Sequence, residues 1–320
     1  MNGLASILIL ESETITDTKD DFLNNFVIPD NTKMEEHNIV VDGGAIVGNH
    51  SSLNYGIIAN SVILGESVQV SGDISSTSDV RIDTWSKIGG NVKTESNAYI
   101  GELVSIDGKL MVNGDLDVGN NVKINDGFVA KGWILVRNPI PVMVYLFLYI
   151  SELLRLGKDE EVEKALEDLF TDDELEESMK SGAMVVPNSS RISVDSIHVP
   201  AHAIIGNNCR LIGNIRSSSL EMGDNTTLYG SIRTRNDITI GKNDSIHGNI
   251  VSKGDVTIDE RTHILGEVSA NTIHIHESAL VDGLMRAPSG LSFEREDEVE
   301  NMGDEKEVES DKKELIKLDI

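Results

Sequence analysis

A short phrase recurs through this chain at a nearly fixed interval. It reads "LEMGDNTTLYGSI" at residues 220–232, "ITIGKNDSIHGNI" at 238–250 and "VTIDERTHILGEV" at 256–268. A first series, glycine or a polar substitute, runs Gly206, Gly223, Gly241, Asp259 and His276, and the copies lie 17 or 18 residues apart. A second series, Gly213, Gly230, Gly248, Gly266 and Gly283, follows each member seven residues later. Ile215, Ile232, Ile250 and Val268 stand two residues beyond the second series. The first half carries the same scheme. Gly65, Asp83, Gly101 and Gly119 are spaced by 18, and Gly72, Gly90 and Gly108 lie seven residues behind them. Ile74, Val92 and Leu110 then follow, with Phe128 one period further on. A fixed period of this length specifies a stack of like units, and it outranks any local motif.

Within each copy, short runs such as "VRI", "DITI" and "VTI" alternate apolar and polar residues. Alternation sends one set of side chains inward and the other outward. Glycine and asparagine cluster between the runs, where the chain turns and adopts positive φ. A period of this size divides into three short strands and three corners, a triangular coil. Successive coils hydrogen-bond at about 4.8 Å, so Ile215, Ile232 and Ile250 form an internal ladder. One coil cannot bury its apolar face alone; stacking does so. The expected fold is mainly β: a parallel β-helix, or solenoid, in two blocks with a helical insert between them. Each block has roughly five coils and is about 25 Å long. The glycine spacing alternates seven with 10 or 11, which departs from the six-residue rhythm of left-handed solenoids and favours a right-handed coil.

The pattern divides the chain into an acidic N-terminal tail (1–37), a first solenoid block (38–136), a helical insert with linker (137–189), a second block (190–287) and an acidic tail of disordered composition (288–320). Charge follows these boundaries. The net charge is −27. Residues 1–36 contribute −6, residues 158–180 contribute −8 and residues 289–320 contribute −7. The acidity therefore belongs to tails and insert, and a basic nucleic-acid footprint is not expected. The one cysteine, Cys209, forbids an intrachain disulfide and suits a reducing cytoplasm. The apolar run Leu4–Leu10 lacks the basic flank of a secretory signal; it reads as a tail or as a weak membrane-touching segment.

The insert opens on Pro139 and Pro141 and continues into the apolar run Val142–Ile150, which is too short to span a bilayer. Val162, Ala165, Leu166, Leu169 and Phe170 then fit one face of a second helix. Three roles compete for the first helix: covering a solenoid end or flank, docking on a membrane surface, or binding a copy of itself or another protein. Val142, Val144, Leu146, Phe147 and Ile150 are its candidate docking residues.

No catalytic constellation emerges. His274 and His276 face the same way on one strand, but two imidazoles fall short of a metal site. Cys209 lacks a neighbouring CxxC and reads as a small packed residue. Phosphate-binding Gly–Lys–Ser/Thr loops, GxSxG and HExxH are absent from the sequence, and the glycines belong to the repeat. No cofactor and no metal are expected.

The phrases "GDISSTSDVRIDTWSKIGGNVKTESNAYIG" (72–101) and "GNIVSKGDVTIDERTHILGEVSANTIHI" (248–275) resemble the bactofilins, polymer-forming cytoskeletal proteins linked to cell shape. The resemblance implies a right-handed β-helix that assembles end to end without nucleotide and acts as a scaffold at the cytoplasmic face of the membrane. The chain departs from the family pattern in having two solenoid blocks rather than one. The leading functional reading is a non-enzymatic, self-assembling scaffold whose partner is itself, cytoplasmic and peripheral to the membrane. The outer coils expected to carry assembly contain Ile46, Val47, Ile57 and Ile58 at one end and Ile273, Ile275, Leu280 and Leu284 at the other. Two further readings stand beside it: an acyltransferase or carbonic anhydrase built on left-handed hexapeptides, and a solenoid adaptor that does not polymerise.

Overall fold

A computed structural model describes residues 24–137 and 182–295. All regular structure among them is β. The strands form three sheets: sheet I with 14 strands, and sheets II and III with 12 each. One coil shows the plan. Val80–Ile82 lies in sheet I, Lys87–Ile88 in sheet III and Val92–Thr94 in sheet II; Ala98–Ile100 then returns to sheet I beside Val80–Ile82. Val80, Ile82, Ile88 and Val92 point inward and are buried. The coil ladder is the expected one: Ile215 pairs with Ile232, Ile232 with Ile250 and Ile250 with Val268.

The second glycine series is explained by close approach between coils. A Cβ built on Gly248 would lie 2.4 Å from the Gly230 carbonyl oxygen, and one on Gly230 would lie 2.1 Å from that of Gly213. Here backbone stacks directly on backbone, and a side chain would pry the coils apart.

A second corner requires positive φ. In the second half asparagine supplies it at Asn208, Asn225 and Asn243; in the first half Trp85 and Leu103 sit in the same left-handed region. Asparagine tolerates this conformation better than a bulky apolar residue does. Leu103 is also exposed. Leu103→Asn is therefore expected to stabilise the fold by about 1 kcal/mol, read as a higher urea midpoint at unchanged slope; a lower midpoint would contradict it.

The two runs of coils do not form separate blocks. Every sheet passes from one run into the other, and all strand pairs among the described residues are parallel except one in each sheet. Those three exceptions define a seam. Asn25–Ile28 runs antiparallel to Met184–Val186, Lys33–Met34 to Asn38–Val40, and Arg191–Ile192 to Ser196–His198. Asn25–Ile28 also pairs in parallel with His202–Ile205, while Met184–Val186 pairs with Ala45–Val47. The opening strands of each half thus complete the first coil of the other. Residues 25–34 fell within the expected acidic tail; they form two seam strands instead, with Phe26 fully buried. The expected helical insert, apart from residues 137 and 182–189, lies outside the described residues.

The seam also exposes an internal duplication. The offset that takes Pro29 to Pro187 takes Gly48 to Gly206, Gly72 to Gly230, Gly90 to Gly248 and Gly108 to Gly266. It also takes Val27 to Val185, and these two residues are direct partners across the seam. The pairs Met34–Ile39 and Ile192–Ile197 are related in the same way. The halves therefore meet head to head about a local two-fold axis, and each coils away from the seam.

Candidate functional site: two open ends

Head-to-head fusion puts the last coil of each half at the outside. At one end lie the strands Lys123–Ile124, Phe128–Ala130 and Ile134–Val136; at the other lie Leu280–Val281, Met285–Arg286 and Gly290–Glu294. Among the described residues each is a terminal strand of its sheet, paired on one edge only. The other edge offers unpaired backbone N–H and C=O groups, the geometry that recruits a further strand.

The side chains match the edges. Ile134 and Val136 continue the inward ladder of Leu116 and Val118, and Phe128 continues that of Leu110. Leu110 and Leu116 are buried, but one coil further out Phe128 and Ile134 are each 49% exposed and Val136 is 68% exposed. At the opposite end Leu291 and Phe293 stack on Ile273 and Ile275 and are likewise open to solvent. Among the described residues each end is an apolar core section ringed by unpaired strand edges.

These positions revise the expected assembly residues. Ile46, Val47 and Ile57 are buried near the seam. Ile58 lies on the outward face of sheet II in the same region. All four were assigned to an outer coil on the assumption that the first coil in sequence is an end in space; the reversal at the seam makes it central. Ile273 and Ile275 sit one coil inside the other end, because Gly290–Glu294 extends the stack past residue 287. Leu280 and Leu284 are exposed in the last coil, but Leu280 continues the outward row of His263. Leu291, Phe293, Phe128, Ile134 and Val136 are the residues at the ends. Of these only Phe128 carried a repeat signal in the sequence. Val142, Val144, Leu146, Phe147 and Ile150 lie outside the described residues.

The polar residues serve the stack. Asp30 Oδ1 accepts from Asn207 N, Asn207 Oδ1 from Asp224 N, and Asp224 Oδ1 from Lys242 N, at 2.7–2.8 Å. Another buried column follows the left-handed corners. Cys209 N donates to Thr226 Oγ1, Thr226 N to Asp244 Oδ1, and Asp244 N to Thr262 Oγ1. Burial pushes the Asp244 carboxyl up to about 7, and the negative charges of Asp224 and Asp259 add to the rise. Its Oδ2 has no hydrogen-bond partner among the described residues. Burial likewise raises the Cys209 thiol to about 11.

Several histidines are engaged in local contacts. His274 meets Ser292 at 2.7 Å, His276 meets Ser278 at 2.8 Å, His263 meets Asp282 at 3.0 Å, and His247 stacks on Tyr229. Among the described residues no group of three His, Cys, Asp or Glu side chains could hold a metal ion, and no helix is long and apolar enough to cross a membrane. No protein-family model matches this chain, and no curated protein or solved structure is detectably similar to it.

Proposed function

We propose that the protein is a non-enzymatic scaffold that assembles end to end without nucleotide, as the resemblance to bactofilins suggests. The reading takes in a right-handed coil and a cytoplasmic location at the membrane face. The observation that supports it is the pair of terminal coils, each joining exposed inward-ladder residues to strand edges that are unpaired among the described residues. The seam shapes the polymer. Both outer ends are last coils of equivalent halves, so no head is left to meet a tail. Contacts form between like ends, and such contacts at both ends of a unit give a strand without polarity.

Negative-stain electron microscopy and light scattering of the full chain test this. The wild type is expected to form strands at micromolar concentration with no nucleotide added. Ile134→Arg with Val136→Arg closes one end and should leave pairs joined at the other. Adding Leu291→Arg and Phe293→Arg should leave single units. A wild type that stays monomeric across salt and concentration would sink the proposal. A one-end variant that still forms long strands would sink the like-end geometry.

A further inference from the structure

Sheet III carries an outward row of side chains that runs the length of the stack and crosses the seam. At its centre Arg191 pairs with His198, His198 with Arg216, and Arg216 with Arg233. Lys87 and Lys123 continue it through the first half, and Arg286 closes it in the last coil of the second. The remaining positions hold serine, glutamine or valine, and no carboxylate interrupts the row.

Such a row is anomalous in a chain of net charge −27. Like charges directly opposite on neighbouring strands destabilise a sheet. Arg191, Arg216, Arg233 and Arg286 are all exposed, and none makes an ion pair among the described residues. The adjacent outward column of the second half, Ser196, Asn214, Ser231 and Asn249, is uncharged beside Arg191, Arg216 and Arg233, and brings its one carboxylate, Glu267, only near the outer end beside Ser269. The cations therefore await an anionic partner.

We infer that the partner is the chain's own acidic C-terminal tail, residues 296–311, lying along the Arg286-to-Arg191 row. This stretch, "EDEVENMGDEKEVESD", carries nine carboxylates and one lysine. It leaves from the strand Gly290–Glu294, in the same coil as Arg286. Six coil spacings separate Arg286 from Arg191, about 29 Å. Sixteen extended residues reach more than 50 Å, roughly, enough to cross back over the sheet I strand Gly290–Glu294 and then span the row. Tethering holds it at an effective concentration of roughly millimolar. External polyanions meet the repulsion of the whole chain first. In an assembled strand, the docked tail would cover the cationic flank of every unit.

Pulsed electron paramagnetic resonance on the full chain tests this, with spin labels on Ser269→Cys in the row and Met302→Cys in the tail. Cys209 is 2% exposed, with its thiol raised to about 11, and stays unlabelled. At 50 mM salt a narrow distance population under about 25 Å is expected, giving way to a broad one near 500 mM salt, since screening acts on exposed pairs. Arg216→Glu with Arg233→Glu should abolish the narrow population at low salt, and Arg216→Gln with Arg233→Gln should reduce it at least several-fold. Diluting labelled chains tenfold with unlabelled ones should leave it intact. A broad distribution already present at low salt, or one indifferent to the charge reversal, would overturn the docking. Loss of the short distance on dilution would assign the contact to a neighbouring chain and overturn the assignment to the chain's own tail. Displacement of the tail by vesicles containing phosphatidylserine at 150 mM salt would make a membrane surface the preferred partner and would also overturn it.

Discussion

Phe26→Ala is expected to destabilise the protein by about 3–5 kcal/mol, the range for removing a fully buried aromatic side chain. Phe26 is completely buried and lies beside Ala203 of the other half, as its equivalent Met184 lies beside Ala45. A large residue from each opening strand is thus matched to a small one in the coil it completes. Truncation leaves two alanines side by side and a cavity at the seam. The measurement is urea unfolding of wild type, Phe26→Ala and the double variant Phe26→Ala with Ala203→Leu. The double variant should recover part of the loss, because it returns volume from the other side. A cost under 1 kcal/mol would mean that residues 25–34 decorate the stack rather than close it.

The second large effect concerns pH. Asp244 occupies a column where Thr226 and Thr262 stand one coil away on either side. Its carboxyl is raised from 3.8 to about 7, first by burial and then by the charges of Asp224 and Asp259. The folded state therefore holds the proton more tightly than the unfolded chain. The stabilisation is complete below about pH 4 and is lost as pH rises through about 7. At 1.36 kcal/mol per pKa unit the loss is about 4 kcal/mol. Asp244→Thr restores the hydroxyl of the column and removes the titration. Its stability should exceed that of wild type by about this amount at pH 8, and the two should converge near pH 4. Denaturant titrations at several pH values measure the gap, and the general acidity of the chain is common to both proteins. Curves that stay parallel from pH 4 to 8 would show that Asp244 does not titrate in this range.

The coil register was legible in the residues because stacking repeats its requirements. Where backbone lies on backbone, only glycine fits at Gly230 and Gly248; where side chains lie on side chains, the ladder Ile215, Ile232 and Ile250 recurs. The ends were not legible. Ile46 and Val47 belong to an early coil in the chain and to a central one in space. The strands that decide this, Lys33–Met34 and Arg191–Ile192, are two residues long. Apolar alternation needs a longer run to be seen; Lys33–Met34 fell within the expected tail, and Arg191–Ile192 read as the start of the second block. Among the expected end residues, Ile273 and Ile275 were displaced by a single further strand, Gly290–Glu294, which lies past the last repeat glycine, Gly283, and directly before the acidic tail.

The sequence by itself determined the coil: its period, its inward ladder and its glycine contacts, since each is a local demand repeated from turn to turn. The tertiary structure alone decided the direction in which the two halves run and which coils face outward. Parallel stacking within a half is encoded in every repeat. The reversal at the seam rests on one antiparallel contact between segments far apart in the chain, Val27 with Val185, and on two tight hairpins, Met34 against Ile39 and Ile192 against Ile197, and the repeat period carries no record of which neighbour its first coil will meet.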